Sequence, residues 1–126
     1  EMNVVLWIVQ GLLALIFLMA GGIKLFKSKK ELSDKLGDWV DQYSNISIRL
    51  IGLLEQLGAI GIILPLAIGV FPILTPLAAI GLAMTMVGAM KLHYQRTEKS
   101  KVITNMVLML LALFVAIGRL FITPII

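Results

Sequence analysis

Residues Leu50–Pro65 have the sequence LIGLLEQLGAIGIILP, and this stretch decides the fold of the chain. It is apolar enough to cross a bilayer, yet it contains a carboxylate, Glu55, beside a carboxamide, Gln56. An ionisable side chain inside a membrane costs about 2.5–3.5 kcal/mol on insertion scales, so it generally faces the interior of a helix bundle and has a partner. The stretch therefore predicts a membrane helix whose inner face carries a functional or structural group at Glu55.

The rest of the chain has the composition of a membrane protein. Of its 126 residues, 60% are hydrophobic and 14% are charged, and the mean hydropathy is +1.01. Soluble domains are about 45–50% apolar and about 25% charged. Four apolar runs are long enough to cross a bilayer, and they must be helical because lipid offers no partner to a free backbone amide. We predict one all-α membrane domain, 1–126, a four-helix transmembrane bundle of two hairpins with spans at about 3–26, 48–69, 76–93 and 102–122.

A polar segment separates the first two spans. Ser28 and Glu31 have the spacing of a capping box, in which each side chain pairs with a free amide of the first helical turn. Apolar residues then recur at helical spacing, at Leu32, Leu36, Trp39, Val40 and Tyr43. The pattern predicts an amphipathic helix over about 29–43 that lies in the cytoplasmic membrane interface. This helix is a simple connector on the headgroups, a lid over a cavity mouth, or a docking surface for a partner.

The basic residues predict the orientation of the bundle. Ten of the 11 Lys and Arg residues lie in or beside the connections after the first and third spans, and Arg119 alone lies on the opposite side. The positive-inside rule places both connections in the cytoplasm and both termini outside. We expect a multi-pass protein of a bacterial cytoplasmic membrane. The net charge of +4 does not indicate nucleic-acid binding, because it is confined to these connections.

Residue counts exclude several kinds of chemistry. The chain has no cysteine, which excludes dithiol redox chemistry, thiolate ligands and disulfides. Its single histidine, His93, excludes a haem held by two histidines of one chain. No nucleophile–base pair, metal-ligand cluster or phosphate loop is visible, so we expect neither a metal site nor a free-standing enzyme.

Depth in the membrane decides which polar groups can meet. Glu55 lies about seven residues past the cytoplasmic start of its span, or roughly 10 Å deep. Polar side chains on the four spans lie at a similar depth, so we predict that they form one cluster in the cytoplasmic half. Its members are Lys24, Glu55, Gln56, Lys91, His93 and Asn105. Glu55 is structural if it pairs with Lys24 or Lys91; if it is unpaired, burial favours its protonated form and it can bind a ligand or exchange a proton.

Two polar residues lie toward the outer side, away from this cluster. We interpret Gln10 and Arg119 as packing and snorkelling groups, because long polar side chains near helix ends extend to the interface.

A proline, Pro65, falls in the last third of the second span. It is expected to kink or end that helix, because proline lacks the backbone N–H and clashes with the preceding turn.

Three short motifs carry a family resemblance. They are Ala20–Leu25 (AGGIKL) at the end of the first span, Glu55-x-x-Gly58-x-x-Gly61 leading into Ile62–Pro65, and Ala89-x-x-x-His93 at the end of the third. Together they resemble the DoxX-like family of small four-helix membrane proteins, over nearly the whole chain. The resemblance implies a four-helix bundle with a site near Lys24, Glu55 and His93. The family name comes from a subunit of a thiosulfate:quinone oxidoreductase, and related branches include receptor-assembly chaperones of animal cells.

Three functions stay open at this point. In the first, the bundle holds a hydrophobic or quinone-like ligand in a cytoplasm-facing polar pocket around Glu55, as an accessory subunit of a membrane redox system. There Glu55 accepts a hydrogen bond or a proton, and Lys24 or His93 polarises a carbonyl. The second function is a small proton-coupled transporter, and the third is an assembly or chaperone protein in which Glu55 only sets the helix register.

The expected partners follow from the same features. They are membrane lipids and a redox or other membrane protein, and not nucleic acid. Small-residue stripes in the third span are compatible with a homodimer. No cofactor is indicated other than a quinone or a lipid.

Overall fold

The computed structural model describes residues 1–124, and within that range it is built from helices without a strand. The helices are α1 (Met2–Phe26), α2 (Lys29–Leu36), α3 (Asn45–Gly61), α4 (Leu64–Ile68), α5 (Leu74–Gln95) and α6 (Lys99–Ile117). A 3-10 turn, Asp38–Gln42, follows α2, and a π-helical turn, Gly118–Ile122, extends α6. Four segments are long and apolar enough to cross a membrane: α1, α3 with α4, α5, and α6 with its extension. The predicted all-α bundle with four candidate spans is confirmed.

The long helices pack as two hairpins. α1 lies against α3, α5 lies against α6, and the α3–α5 contact joins the two pairs. Their inner faces form one apolar core, which includes Leu13, Phe17, Ala59, Ile62, Leu82, Met86, Ala112 and Val115. The outer faces are apolar too, since Leu15 is 62% exposed and Met19 is 67% exposed. Such a surface is suited to lipid, and it explains why each span is hydrophobic on all sides.

A close backbone contact joins α1 and α3. A Cβ atom on Gly21 would lie 2.6 Å from the backbone oxygen of Gly52, and a Cβ on Gly52 would lie 2.8 Å from that of Gly21. Small residues at a crossing let membrane helices approach closely enough for backbone contact. Two side chains of α3 then bind the backbone of α1: Arg49 Nη1 donates to the Lys24 oxygen at 2.5 Å, and Gln56 Nε2 donates to the Leu18 oxygen at 2.5 Å.

The second span bends where Pro65 was expected to kink or end it. α3 ends at Gly61, and α4 begins at Leu64 with the proline in its first turn. Because Pro65 has no N–H, the Gly61 oxygen loses its helical partner. The Thr75 hydroxyl from α5 donates to this oxygen at 3.0 Å, and Gln10 Nε2 from α1 donates to the Ile62 oxygen at 2.5 Å. The kink is therefore satisfied by side chains from two neighbouring helices.

Arg119 does not snorkel, so the sequence interpretation of this residue is wrong. The residue is 3% exposed, and its guanidinium stacks over the Trp7 ring, with 5.1 Å from Cζ to the ring centroid. Its Nε donates to Gln10 Oε1 at 2.8 Å, and its Nη1 donates to Asn3 at 2.7 Å and to Thr123 at 3.0 Å. Three neutral acceptors and the Trp7 ring surround the guanidinium, while its Nη2 has no hydrogen-bond partner among residues 1–124. Gln10 is a packing group, as expected, and it joins Arg119 to the kink.

The segment between α1 and α3 is not one helix over 29–43. The capping box is present, with Glu31 N donating to Ser28 Oγ at 3.2 Å and Ser28 N donating to Glu31 Oε1 at 3.4 Å. However, α2 ends at Leu36, and Gly37 has a φ of +114°, a conformation that disrupts a right-handed helix and suits glycine. The chain then continues as the 3-10 turn. We call residues 29–43 the roof segment; its position in the membrane interface stays a prediction.

The Gly21–Gly52 contact makes the first testable prediction. Gly21→Ala should lower the free energy of unfolding by about 1–3 kcal/mol, because the new methyl group would force the two backbones apart. Gly81→Ala is the matched control, since a Cβ at Gly81 of α5 has nothing within 4 Å. The measurement is denaturant unfolding of each variant in detergent micelles. Equal stability of the two variants would contradict the close α1–α3 contact.

Candidate functional site

An ion pair connects α1 and α3 inside the bundle. Lys24 in the last turn of α1 places its Nζ 2.6 Å from Oε1 of Glu55 in the middle of α3. The Glu55 side chain is 2% exposed and that of Lys24 is 11% exposed. The glycine contact brings the helices close enough for this bond. Of the two alternatives that the sequence left open for Glu55, the structure contains the paired one.

The second oxygen of Glu55 remains open. Oε2 has no hydrogen-bond partner among residues 1–124, and it is not sealed off within the protein. It borders a cavity of about 580 Å³ at the end of the bundle that carries the roof segment, which we call the polar end. All four long helices and the roof segment contribute to the wall of this cavity. Glu55 is therefore both a structural partner of Lys24 and an acceptor at the cavity wall.

Four of the six residues in the predicted cluster line this cavity. They are Lys24, Glu55, His93 and Asn105, and each comes from a different long helix. Most of the remaining wall is apolar and includes Phe17, Ile51, Leu54, Met86, Leu92 and Leu108. The depth argument therefore selected side chains that the fold brings to one chamber.

The other two residues of the predicted cluster lie elsewhere. Gln56 is about 100° around the helix from Glu55, which turns it toward the backbone of α1, where it binds the Leu18 oxygen. Lys91 is exposed on the outer face of α5. It precedes His93 by two residues, or about 200° of helix rotation, so the two side chains point to opposite faces.

His93 takes part in a charged network at the polar end. Its Nδ1 lies 2.8 Å from Oε1 of Glu98, the residue that precedes α6. Glu98 also accepts from Arg96 Nε at 3.1 Å and lies 3.5 Å from Lys101 Nζ. The hydrogen bond from His93, with smaller effects from the two cations, lowers the pKa of the Glu98 carboxyl to about 2. Sequence reasoning missed Glu98, although its position five residues after His93 and just before a helix was a usable signal.

The roof segment is anchored over the cavity. Leu32, Trp39 and Val40 are buried against Ile48 of α3. The Trp39 ring meets His93 edge-on, with 6.0 Å between ring centroids.

Two polar contacts add to this anchoring. Lys101 Nζ donates to the Leu36 oxygen at 2.9 Å, and Arg96 forms an ion pair with Asp38. The segment is thus a packed part of the cavity wall rather than a loose connector.

A comparison with known families identifies this architecture. The model of the DoxX-like family matches residues 8–115, which span α1 to α6 and contain Lys24, Glu55, His93 and Asn105. The chain belongs to the DoxX-like family. Comparisons with curated proteins and with solved structures gave no match. The four apolar helices and the family together make this DoxX-like chain a multi-pass membrane protein.

The Lys24–Glu55 pair makes the second prediction. Lys24→Met should lower the free energy of unfolding by about 3–5 kcal/mol, because it leaves a buried carboxylate without its partner. Lys91→Met removes an exposed lysine from α5 and is the matched control. The pair reversal Lys24→Glu with Glu55→Lys should recover part of the loss. Denaturant unfolding in micelles measures all three, and equal effects of Lys24→Met and Lys91→Met would exclude a stabilising pair.

The ion pairs of Glu98 should make the stability of the polar end depend on pH. The pKa of Glu98 lies below its ordinary value of 4.5, at about 2, so its ionised form contributes full stability above pH 4.5. That contribution is lost as the pH falls through about 2. Glu98→Gln should therefore lower the melting temperature at about pH 5, and the gap to the parent protein should close near pH 2.

Asp41→Asn is the control for this measurement. Asp41 is an exposed carboxylate of the roof segment that forms no ion pair among residues 1–124. Melting curves between about pH 5 and pH 2 give the comparison. An equal gap for Asp41→Asn and Glu98→Gln would show that Glu98 has no special role in holding the polar end together.

Proposed function

We propose that this DoxX-like protein is a ligand-binding accessory subunit of a membrane redox system. It holds a hydrophobic, quinone-like molecule in the cavity beside Glu55. The observation that supports this most directly is the open Oε2 atom of Glu55 at the wall of a chamber that is otherwise mainly apolar. The cavity volume of about 580 Å³ is in the range of small-molecule sites, about 300–1,000 Å³.

The distribution of polarity in the cavity suits a molecule with a polar ring and an apolar tail. Lys24, Glu55, His93 and Asn105 offer hydrogen bonds to a ring. Ile16, Leu54 and Met84 line the cavity and are also 41%, 59% and 68% exposed, so the chamber reaches toward the apolar outer surface of the bundle. A tail that leaves the cavity there would enter lipid without a solvation cost.

The proposal includes an orientation and a partner surface. The positive-inside rule places the polar end in the cytoplasm of a bacterial cell. The roof segment then presents the exposed residues Lys30, Asp34 and Asp41 outward, beside the cavity that it helps to close. We propose this face as the contact for the redox protein.

A proton-coupled transporter is the less favoured alternative. A transport path needs polar groups or water from one side of the bundle to the other. Between the cavity and the Gln10–Arg119 network lies a layer of buried apolar side chains that includes Leu13, Phe17 and Ala112. Any proton carried by Glu55 would have to cross this layer, so transport requires a second arrangement of the helices.

An assembly protein without chemistry of its own is favoured by a different observation. The Lys24–Glu55 bond, the Gln56 and Arg49 contacts and the glycine crossing all lie at one helix interface. A pair that only sets register would be replaceable by packed apolar residues. On that hypothesis, Lys24→Met with Glu55→Leu would keep function and no ligand would be found.

Native mass spectrometry of the protein extracted from its own membrane tests the proposal. We expect a defined hydrophobic ligand on the parent protein. The ligand should be lost in Ala89→Leu, which narrows the cavity wall while leaving the Lys24–Glu55 pair in place. Glu55→Gln should also lose it, and Gly81→Ala on the open face of α5 should retain it. Bulk lipid alone, in equal amounts on all four proteins, would refute a ligand-binding function.

A further inference from the structure

We infer that the cavity selects an uncharged ligand that donates hydrogen bonds, so that it takes a hydroquinone in preference to the quinone of the same size. This inference rests on the proposed function and specifies the chemical form of the ligand. It depends on the polar atoms that the fold leaves open at the cavity wall, at Glu55 and at His93.

The open atom at Glu55 accepts hydrogen bonds. Oε1 is bound by Lys24 at 2.6 Å, whereas Oε2 has no partner among the described residues. Lys24 already neutralises the carboxylate of Glu55, so Oε2 does not need a cationic ligand. A ligand carbonyl that accepts from the remaining N–H groups of Lys24 would bring its own lone pairs close to those of Oε2, and the two would repel each other. A hydroxyl satisfies both groups, since it accepts from Nζ and donates to Oε2.

In the neutral imidazole, the open ring nitrogen of His93 is an acceptor as well. Glu98, with its pKa at about 2, is ionised at neutral pH and accepts only, so the hydrogen bond of 2.8 Å places the proton on Nδ1 of His93. In the neutral imidazole, Nε2 is then left with a lone pair. No residue of the described chain donates to Nε2, and the side chain of His93 is 8% exposed at the cavity wall. The orientation of the ring is thus set by a residue outside the cavity.

The charges around the cavity argue against ionic ligands. Three lysines, Lys24, Lys35 and Lys101, line it with one carboxylate, Glu55, so a cationic ligand would meet a net positive wall. An anionic ligand would place its charge against the lone pairs of Glu55 Oε2 and His93 Nε2. Asn105 has both a donor and an acceptor, and it therefore adds no preference.

An uncharged ring with two hydroxyl groups meets these conditions. One hydroxyl can donate to Glu55 Oε2 and the other to His93 Nε2. A quinone of the same size would leave both acceptors unpaired in a largely apolar chamber, which lowers its affinity. A site that is built to bind a hydroxyl discriminates strongly against an analogue without it.

The test uses three probes with the same alkyl chain: an alkylhydroquinone, the alkylbenzoquinone and the alkylbenzene. Each is equilibrated under argon with the full chain in lipid nanodiscs and with empty nanodiscs, and bound probe is measured by chromatography. We expect the hydroquinone to bind at least about tenfold more tightly than either of the others. Equal or tighter binding of the benzoquinone would overturn the inference and leave the proposed function standing. If none of the three exceeded partition into empty nanodiscs, the proposed function would fail as well.

His93→Phe tests the acceptor directly. The variant keeps a flat ring beside Trp39 but removes Nε2, so the affinity for the hydroquinone should fall about tenfold, while that for the alkylbenzene stays unchanged. Unchanged alkylbenzene binding shows that the cavity is intact. Lys91→Met, on the outer face of the same helix, should leave all three affinities unchanged. A loss of hydroquinone binding in Lys91→Met equal to that in His93→Phe would also contradict the assignment.

Discussion

The contact between α1 and α3 at Gly21 and Gly52 is the constraint on which the site depends. The backbone oxygen of each glycine lies so close to the other glycine that neither position has room for a Cβ atom. This closeness brings the ammonium of Lys24 to the carboxylate of Glu55 inside an apolar bundle, where each charge needs the other. A wider crossing would separate the pair and leave both charges unpaired, and the polar wall of the cavity would be lost with it.

The bundle keeps its two polar regions apart. At one end, the Lys24–Glu55 pair, His93 and Asn105 border the cavity under the roof segment. At the other end, Gln10 and Arg119 form a buried hydrogen-bond network, in which Gln10 also donates to the backbone at the kink before Pro65. The apolar core lies between them. Polar side chains therefore line a cavity at one end of the bundle and stabilise helix packing at the other. The difference depends on whether open space lies beside them.

The sequence predicted the helices and the depth of the polar groups because hydropathy and periodicity are local properties. Four of six cluster residues line the cavity for this reason. Gln56 and Lys91 do not, since depth says nothing about rotation around a helix axis. The single helix expected over 29–43 is interrupted at Gly37. The backbone there has a positive φ, which the spacing of the apolar residues does not reveal. Arg119 was misassigned because its acceptors, Gln10, Asn3 and Thr123, come together only in the folded bundle.

The sequence by itself determined the four apolar helices, the capping box of α2, the bend near Pro65 and the level of Glu55 in the bundle. Each follows from the chemistry of a few neighbouring residues and from the need of lipid-exposed backbone for internal hydrogen bonds. The tertiary structure alone decided that Glu55 pairs with Lys24, that Oε2 of Glu55 has no partner among residues 1–124, and that Glu98 lies against Nδ1 of His93. Those outcomes depend on distances between helices far apart in the chain, and such distances are set by how side chains pack.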